Sequence, residues 1–510
     1  MRTAVGEDDT KAMTAGIYPR HVNVSGDNRN RRRYDVEPVT CRQNWIEIFD
    51  LKEGKSGGRV EIGFPCELVA LSPNGSRALV TPMDGQGRLD VFTVPEGVHI
   101  AGCRPFVNEE KPEHRDIEVA AFLDENTIAA CSRNDQLIVY KLPGCEPVYA
   151  VQDAGILAIS PGGKLLATCA EKRIEIRDAL TGEGRGSAPI EGQAVALSFA
   201  PKGDRLAVVT SNGNVSHLNL IDLKDGSLTN QQIPAALGPL IWIGEQQLLV
   251  GGEKPSPLLH RKTKPSTLDR HLMLVDLKRH AVLWSYDYGT GDAVTFNRTT
   301  TDNRLWVAGE ARKGGTMKLT ALTLPETSIA NRLDDKSLDA KLAVKPGMSI
   351  AVQSNVTDPP EAPGLAQQIR EVIDSAARTN GLSIQDGQPL KLTVAVTIAN
   401  DQGMLELQLF GTGGTQPNKV TVQPKTLTLR LAYELNGKPI WEAKRTISNA
   451  TGGLVQIGNK QPQVALDEQM WRHSVEACRE IQPTSHIFAG ATTKGLGSSR
   501  LSGDGAFPPE

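Results

Sequence analysis

The sequence predicts a mainly β chain: a β-propeller of six or seven blades followed by a small α+β domain. Three observations predict it. A unit of three short strands and two turns at 67–94, ELVALSPNGSRALVTPMDGQGRLDVFTV, recurs in altered form down to about residue 324. First turns near 73, 124, 161, 201, 244 and 300 lie about 37 to 56 residues apart, which brackets the roughly 40–45 residues of a four-stranded blade. Beyond residue 346 the strict repeat gives way to amphipathic helices mixed with strands, the pattern of a different fold. The 49 Gly and 31 Pro among 510 residues supply the many turns that such repeats need.

Residues 1–42 are polar, with Arg29, Arg31, Arg32 and Arg33 set among Asn and Gly, and are expected to form a disordered N-terminal arm. From Gln43 the pattern changes. NWIEIFDL puts Trp45, Glu47, Phe49 and Leu51 on one face and Ile46, Ile48 and Asp50 on the other, and RVEIGF follows a KEGKSGG turn. This reads as the outer half of a blade without its own inner strands, placed either to complete the last unit at 292–324 or to stand as a seventh blade. The propeller is therefore expected over 43–324. In turns such as Ser72–Gly75, Pro fixes φ while Asn or Gly accepts positive φ, so neighbouring strands reverse tightly. One blade alone would expose both sheet faces, whereas stacking around an axis buries them.

The SPNG, SPGG and APKG turns, each followed by an alternating strand, resemble those of the WD40 family and its degenerate bacterial relatives over residues 43–324. That resemblance implies a propeller used as a scaffold for recognition. IEIRDA, LIVYKL and LNLIDL stand where the family has a strict Trp-Asp, and its Gly-His pair is missing, so the family's hydrogen-bonded tetrads do not carry over.

Residues 325–346 mix Pro, Asp and Lys and read as a linker, 347–482 as the α+β domain, and 483–510 as a flexible Gly/Ser-rich tail. In the helix predicted over 365–380, with Gly381 beyond its end, Leu365, Ile369, Val372, Ile373 and Ala376 share one side. Strands follow at 391–399, 404–410, 425–435 and 439–447, the last two joined through the hairpin signal Asn436-Gly437. A second helix over 463–479 carries Val464, Trp471, Val475 and Cys478 on one stripe. Lys345-Pro346-Gly347, Lys438-Pro439-Ile440-Trp441-Glu442 and the Gly-rich 495–499 make this part similar to an uncharacterised C-terminal module attached to propellers in bacterial proteins, a resemblance that implies a shared fold and assigns no function. The propeller with a small α/β partner also resembles the periplasmic TolB arrangement with its domains in reverse order.

Charge and motifs narrow the chemistry. With 56 Lys plus Arg against 59 Asp plus Glu, the net charge of −3 supplies no global field toward nucleic acid or an anionic membrane. No apolar run is long enough to span a bilayer. Seven cysteines without CxxC spacing suggest neither a disulfide framework nor a zinc ribbon, and Cys131 and Cys169 sit in apolar strands as small hydrophobes. A reducing, cytoplasmic location is the expectation, or a periplasmic or envelope-associated one if a signal lies upstream.

Gly162-Gly163-Lys164 and Gly411–Thr415 fall between strands and lack the helix N-terminus that a phosphate cradle needs. The letters GxSxG at Gly54–Gly58 lack the strand-to-helix setting of a nucleophile elbow. Asp84–Gly87 reads as a hairpin turn, and His260, His271 and His280 are too dispersed for a metal site. No catalytic, metal or cofactor residues are assigned. Two insertions interrupt the repeats: 101–117, mixed in charge, and 254–271, Pro-rich and basic. Long loops on a regular scaffold are where recognition is placed, and Lys254, His260, Arg261, Lys262, Lys264, Arg270 and His271 form the candidate partner-binding loop. The expected function is a non-enzymatic scaffold that binds a protein or polymer partner. A propeller hydrolase or lyase with a site at the central funnel is one alternative, and anion or nucleic-acid binding through 254–271 is another.

Overall fold

The computed structural model describes residues 2–5, 11–15, 45–50, 55–82, 87–111, 114–170, 172–211, 216–233, 239–253, 270–288, 295–298, 304–310, 317–359, 362–401, 403–409, 418–448, 461–480, 485–491, 495–502 and 505–507. Along them run seven antiparallel sheets, at 2–61, 66–103, 117–151, 156–189, 193–233, 240–288 and 295–323, which are blades 1 to 7 of a β-propeller. Blades 1 to 6 each hold four strands in up-and-down order, and blade 7 shows three among the described residues. The first strand of blade 1 lies against those of blade 2 and blade 7, which closes the ring.

Neighbouring blades share apolar cores, as the alternating strands require. Ile46 and Val60 of blade 1 pack with Leu68 and Phe92 of blade 2. Blades 2 and 3 share Leu79, Phe106, Phe122 and Tyr140, and Leu206 and Val208 of blade 5 meet Ile174 of blade 4. Each fully buried Leu, Ile or Val contributes about 1.5–3 kcal/mol, so the ring is held by the sum of its interfaces.

Two expectations are corrected here. The unit at 43–64 is not half a blade, because strands Arg2–Val5 and Lys11–Ala15 supply its inner half, with Ala12 opposite Phe49 and Met13 opposite Ile48. Residues 1–42 are thus not wholly a disordered arm, and the chain's start does not complete the last blade. RTAV and KAMTA are too short and too polar to register as periodic strands, and only pairing with Trp45–Asp50 reveals them.

The tail is also no loose appendage. Strand Ser498–Ser502 lies parallel to the fourth strand of blade 6, with Ser498 opposite Ser285 and Arg500 opposite Asp287, and Gly505–Phe507 folds back upon it. Leu501 is fully buried, and the Trp284 Nε1–H donates to Ser499 Oγ at 3.0 Å. The glycines that suggested flexibility serve close approach instead. A Cβ on Gly497 would sit 2.4 Å from the Trp284 ring, and one on Gly495 would lie 2.5 Å from the Leu283 carbonyl.

The segment expected as a linker is packed as well. Helices α1 (Thr327–Ala330) and α2 (Asp335–Lys341) and the turn between them bring Ile329, Leu338 and Leu333 into the core shared by blades 6 and 7. Beyond them lies a five-stranded sheet in the order Ser383–Ile384, Ser349–Asn355, Leu390–Asn400, Lys425–Leu435, Lys438–Ser448. The first two neighbouring pairs are parallel and the last two antiparallel. Asn436 and Gly437 take φ of 52° and 78°, as a tight two-residue hairpin requires. Helices α3 (Leu365–Thr379) and α4 (Pro462–Glu480) pack together with Leu427, Leu429, Leu431 and Tyr433 in one core. Among the described residues no helix is long and apolar enough to cross a membrane.

Candidate functional site

Strands alternate in direction within a blade, so connections from second to third strand, and from fourth strand to the next blade, open on one end of the ring. The remaining connections open on the other. Both long connections leave from the first end: 104–116 joins blade 2 to blade 3, and 254–269 joins the second and third strands of blade 6.

Segment 104–116 is anchored at its base and exposed at its tip. Phe106 is buried between blades 2 and 3, and Tyr140 Oη donates to the Pro105 carbonyl at 2.8 Å, its burial pushing the phenol pKa up. A disulfide joins Cys103 to Cys145 of blade 3, with Cα atoms 5.6 Å apart. Inside the segment, the Glu109 N–H donates to the Phe106 carbonyl at 3.1 Å and Arg115 Nε to the Glu109 carbonyl at 2.9 Å. At the far side, a Cβ on Gly87 would meet the Arg115 carbonyl at 2.0 Å, so the neighbouring loop of blade 2 rests directly on it. Val107 is 51% exposed, and Asn108, Glu110 and Lys111 are exposed beside it.

The opposite end holds the C-terminal part. Arg279, only 4% exposed, follows the third strand of blade 6 and reaches Asp276 Oδ2 at 2.9 Å and Asp339 Oδ1 of α2 at 2.8 Å. Next to it His280 stacks on His486, ring centroids 5.8 Å apart. Burial first, then the neighbouring His280, pushes the His486 pKa down to about 4, and burial also lowers that of His280. Tyr286 Oη donates to Glu326 Oε2 at 2.9 Å, and both burial and that carboxylate raise the phenol pKa strongly.

Of the basic-loop residues singled out above, Lys254, His260, Arg261, Lys262 and Lys264 lie outside the described residues. Arg270 and His271 do not belong to a loop. They open the third strand of blade 6, opposite Tyr288 and Asp287 on one side and Glu253 and Gly252 on the other. The alternation HLMLVD extends back to them once a partner strand is present. His280 is separated from His271 by that strand and stands with His486 instead.

The weaker motifs resolve locally. Ser56 sits within strand Lys55–Glu61 opposite Phe49, which is no elbow. Gly163 permits close blade packing, since a Cβ there would meet the Leu123 carbonyl at 1.9 Å. Gly411–Thr415 and Asp84–Gln86 lie outside the described residues. Asp334 caps α2, accepting from the Ser337 N–H at 2.8 Å, and that bond holds its carboxyl below the usual range. Cys131 and Cys169 are buried, and desolvation raises their thiols to about 12 and about 11. Along the first strands that border the axis, half-buried Val69, Val119, Ala121, Leu157, Val195 and Ala196 are uncharged.

The disulfide escaped the sequence reading and corrects the expectation of unpaired thiols. The two cysteines are 42 residues apart, one ending the fourth strand of blade 2 and the other in the turn before the fourth strand of blade 3, a pairing that spacing alone does not reveal. In the C-terminal domain, a groove of ≈ 450 Å³ opens between α3 and α4 over Leu365, Gln368, Trp471, Val475, Arg472 and Arg479.

No protein-family model and no curated protein matches the chain. Among solved structures, the chain is similar to the β-propeller domain of Cps50 (Swd1) from Myceliophteria thermophila, with 12% identity and a TM-score of 0.40, covering 63% of this chain and 96% of that one.

Proposed function

We propose that this protein is a non-enzymatic binding scaffold whose propeller recognises a protein partner, with the groove between α3 and α4 as a second contact surface. The observation that carries the reading is segment 104–116, fixed at its base by Phe106 and a disulfide while Val107, Asn108, Glu110 and Lys111 face solvent. A loop held this way has already lost much of its freedom before binding, so less ordering entropy opposes association. By strand order it leaves from the end of the ring opposite the connection that carries Arg279. The mixed polarity of its tip suits a protein surface better than a polyanion.

The test is affinity purification of the intact protein from its native host, run beside the double variant Val107→Asp, Lys111→Glu. A partner recovered with the wild type should be lost with the variant while the melting temperature stays the same. Equal recovery with both would remove segment 104–116 from the recognition surface.

A further inference from the structure

We infer that the Cys103–Cys145 disulfide gates the recognition segment, so that oxidised protein presents a fixed loop and reduced protein a loose one; this rests on the reading of 104–116 as the recognition surface. The bond closes a span of 42 residues and ties the last strand of blade 2 to the turn before the last strand of blade 3. It sits directly at the root of the segment, one residue before Arg104. Beside it at that root stand the buried Phe106 ring and the hydrogen bond from Tyr140 to Pro105. The other described cysteines, Cys66, Cys131, Cys169 and Cys478, are buried, with burial raising their thiols to about 12, 12, 11 and 12. They are poor thiolates and poor competitors for the exchange.

The two sulfurs differ in access, which sets the direction of reduction. Cys103 is 1% exposed, whereas Cys145 is half-buried in an exposed turn. A thiolate of a dithiol reductant of the thioredoxin class attacks Cys145 Sγ, the S–S bond breaks, and Cys103 leaves as a thiolate that takes a proton. The reductant's second thiol then displaces Cys145 as a thiol, and the reductant departs as its own disulfide, two electrons and two protons having passed to the chain. Oxidation reverses these steps with a disulfide-bearing oxidoreductase as acceptor. Such a bond persists in an oxidising compartment and is labile in a reducing one, so compartment and binding state are coupled, against the reducing location that cysteine spacing alone suggested.

The experiment uses the full chain without any partner, so failure of the gate and failure of the recognition reading are told apart. Alkylation of unreduced, denatured protein should label every cysteine except Cys103 and Cys145. A glutamate-specific endoprotease should then cut after Glu109 and Glu110 roughly tenfold faster in reduced protein and in Cys145→Ser than in oxidised protein, and reoxidation of the wild type should restore protection. Labelling of both cysteines in the unreduced chain, equal cutting in all forms, or cleavage spread over every blade on reduction would each overturn the gate. The reduction and reoxidation cycle keeps the test decisive if Cys145→Ser fails to fold.

Discussion

Single residues decide how the two parts of this chain hold together. Arg279 is buried with Asp276, and its removal strands a buried carboxylate, whereas Asp339 is 63% exposed and can turn to water. Arg279→Ala should therefore lower stability by about 3–5 kcal/mol in chemical denaturation, and Asp339→Asn by about 1 kcal/mol or less. The His280–His486 stack predicts a pH dependence with a definite sign. His486 titrates near 4 when folded and near 6.5 when unfolded, so between those values the unfolded chain binds the extra proton. Stability should be level above pH 6.5 and fall as pH drops from 6.5 to 4, and His486→Phe should flatten the melting-temperature profile across that window. None of these residues announces itself in the sequence. Arg279 and His280 stand in an ordinary polar turn, and their partners lie 60 and more than 200 positions away. The buried faces were legible instead: Leu427, Leu429, Leu431 and Tyr433 alternate and are buried, because one wet face and one dry face leave a period of two.

At the scale of elements, hairpins and helices could be read because their determinants are local. Asn436-Gly437 and the apolar stripe of α3 need no distant partner. Strands that form only by pairing across the chain could not be read, and both examples sit at its ends. Arg2–Val5 and Lys11–Ala15 find their register on blade 1, and Ser498–Ser502 finds its own on blade 6. Removing residues 1–15 should open the ring at the contact between blades 1 and 7, seen as a lower melting temperature and faster proteolysis of both blades. At the other end, Gly495→Ala puts a Cβ against the Leu283 carbonyl at φ of 81°, and Gly497→Ala puts one against Trp284. Each should cost about 1–3 kcal/mol, and hydrogen exchange should show blade 6's outer edge losing protection first.

Over the whole molecule, the repeat spacing was enough to place a propeller, since turns recur at near-blade intervals between alternating strands and three of them share the same Pro-Gly chemistry. The position of the proposed recognition surface followed less directly. Long insertions at 101–117 and 254–271 marked candidates, but only the up-and-down strand order places their exits on one end of the ring, and only the fold brings Cys103 to Cys145. The parallel strand Ser498–Ser502 has a consequence for how the protein is made. It leaves the ribosome more than two hundred residues after the four strands of blade 6 whose sheet it extends. Until that strand emerges, the outer edge of blade 6 waits unpaired, and a chain cut ahead of it would keep a ring with an adhesive flank. Chains truncated after residue 494 should therefore be recovered aggregated or degraded, measured as loss of soluble protein against the full chain.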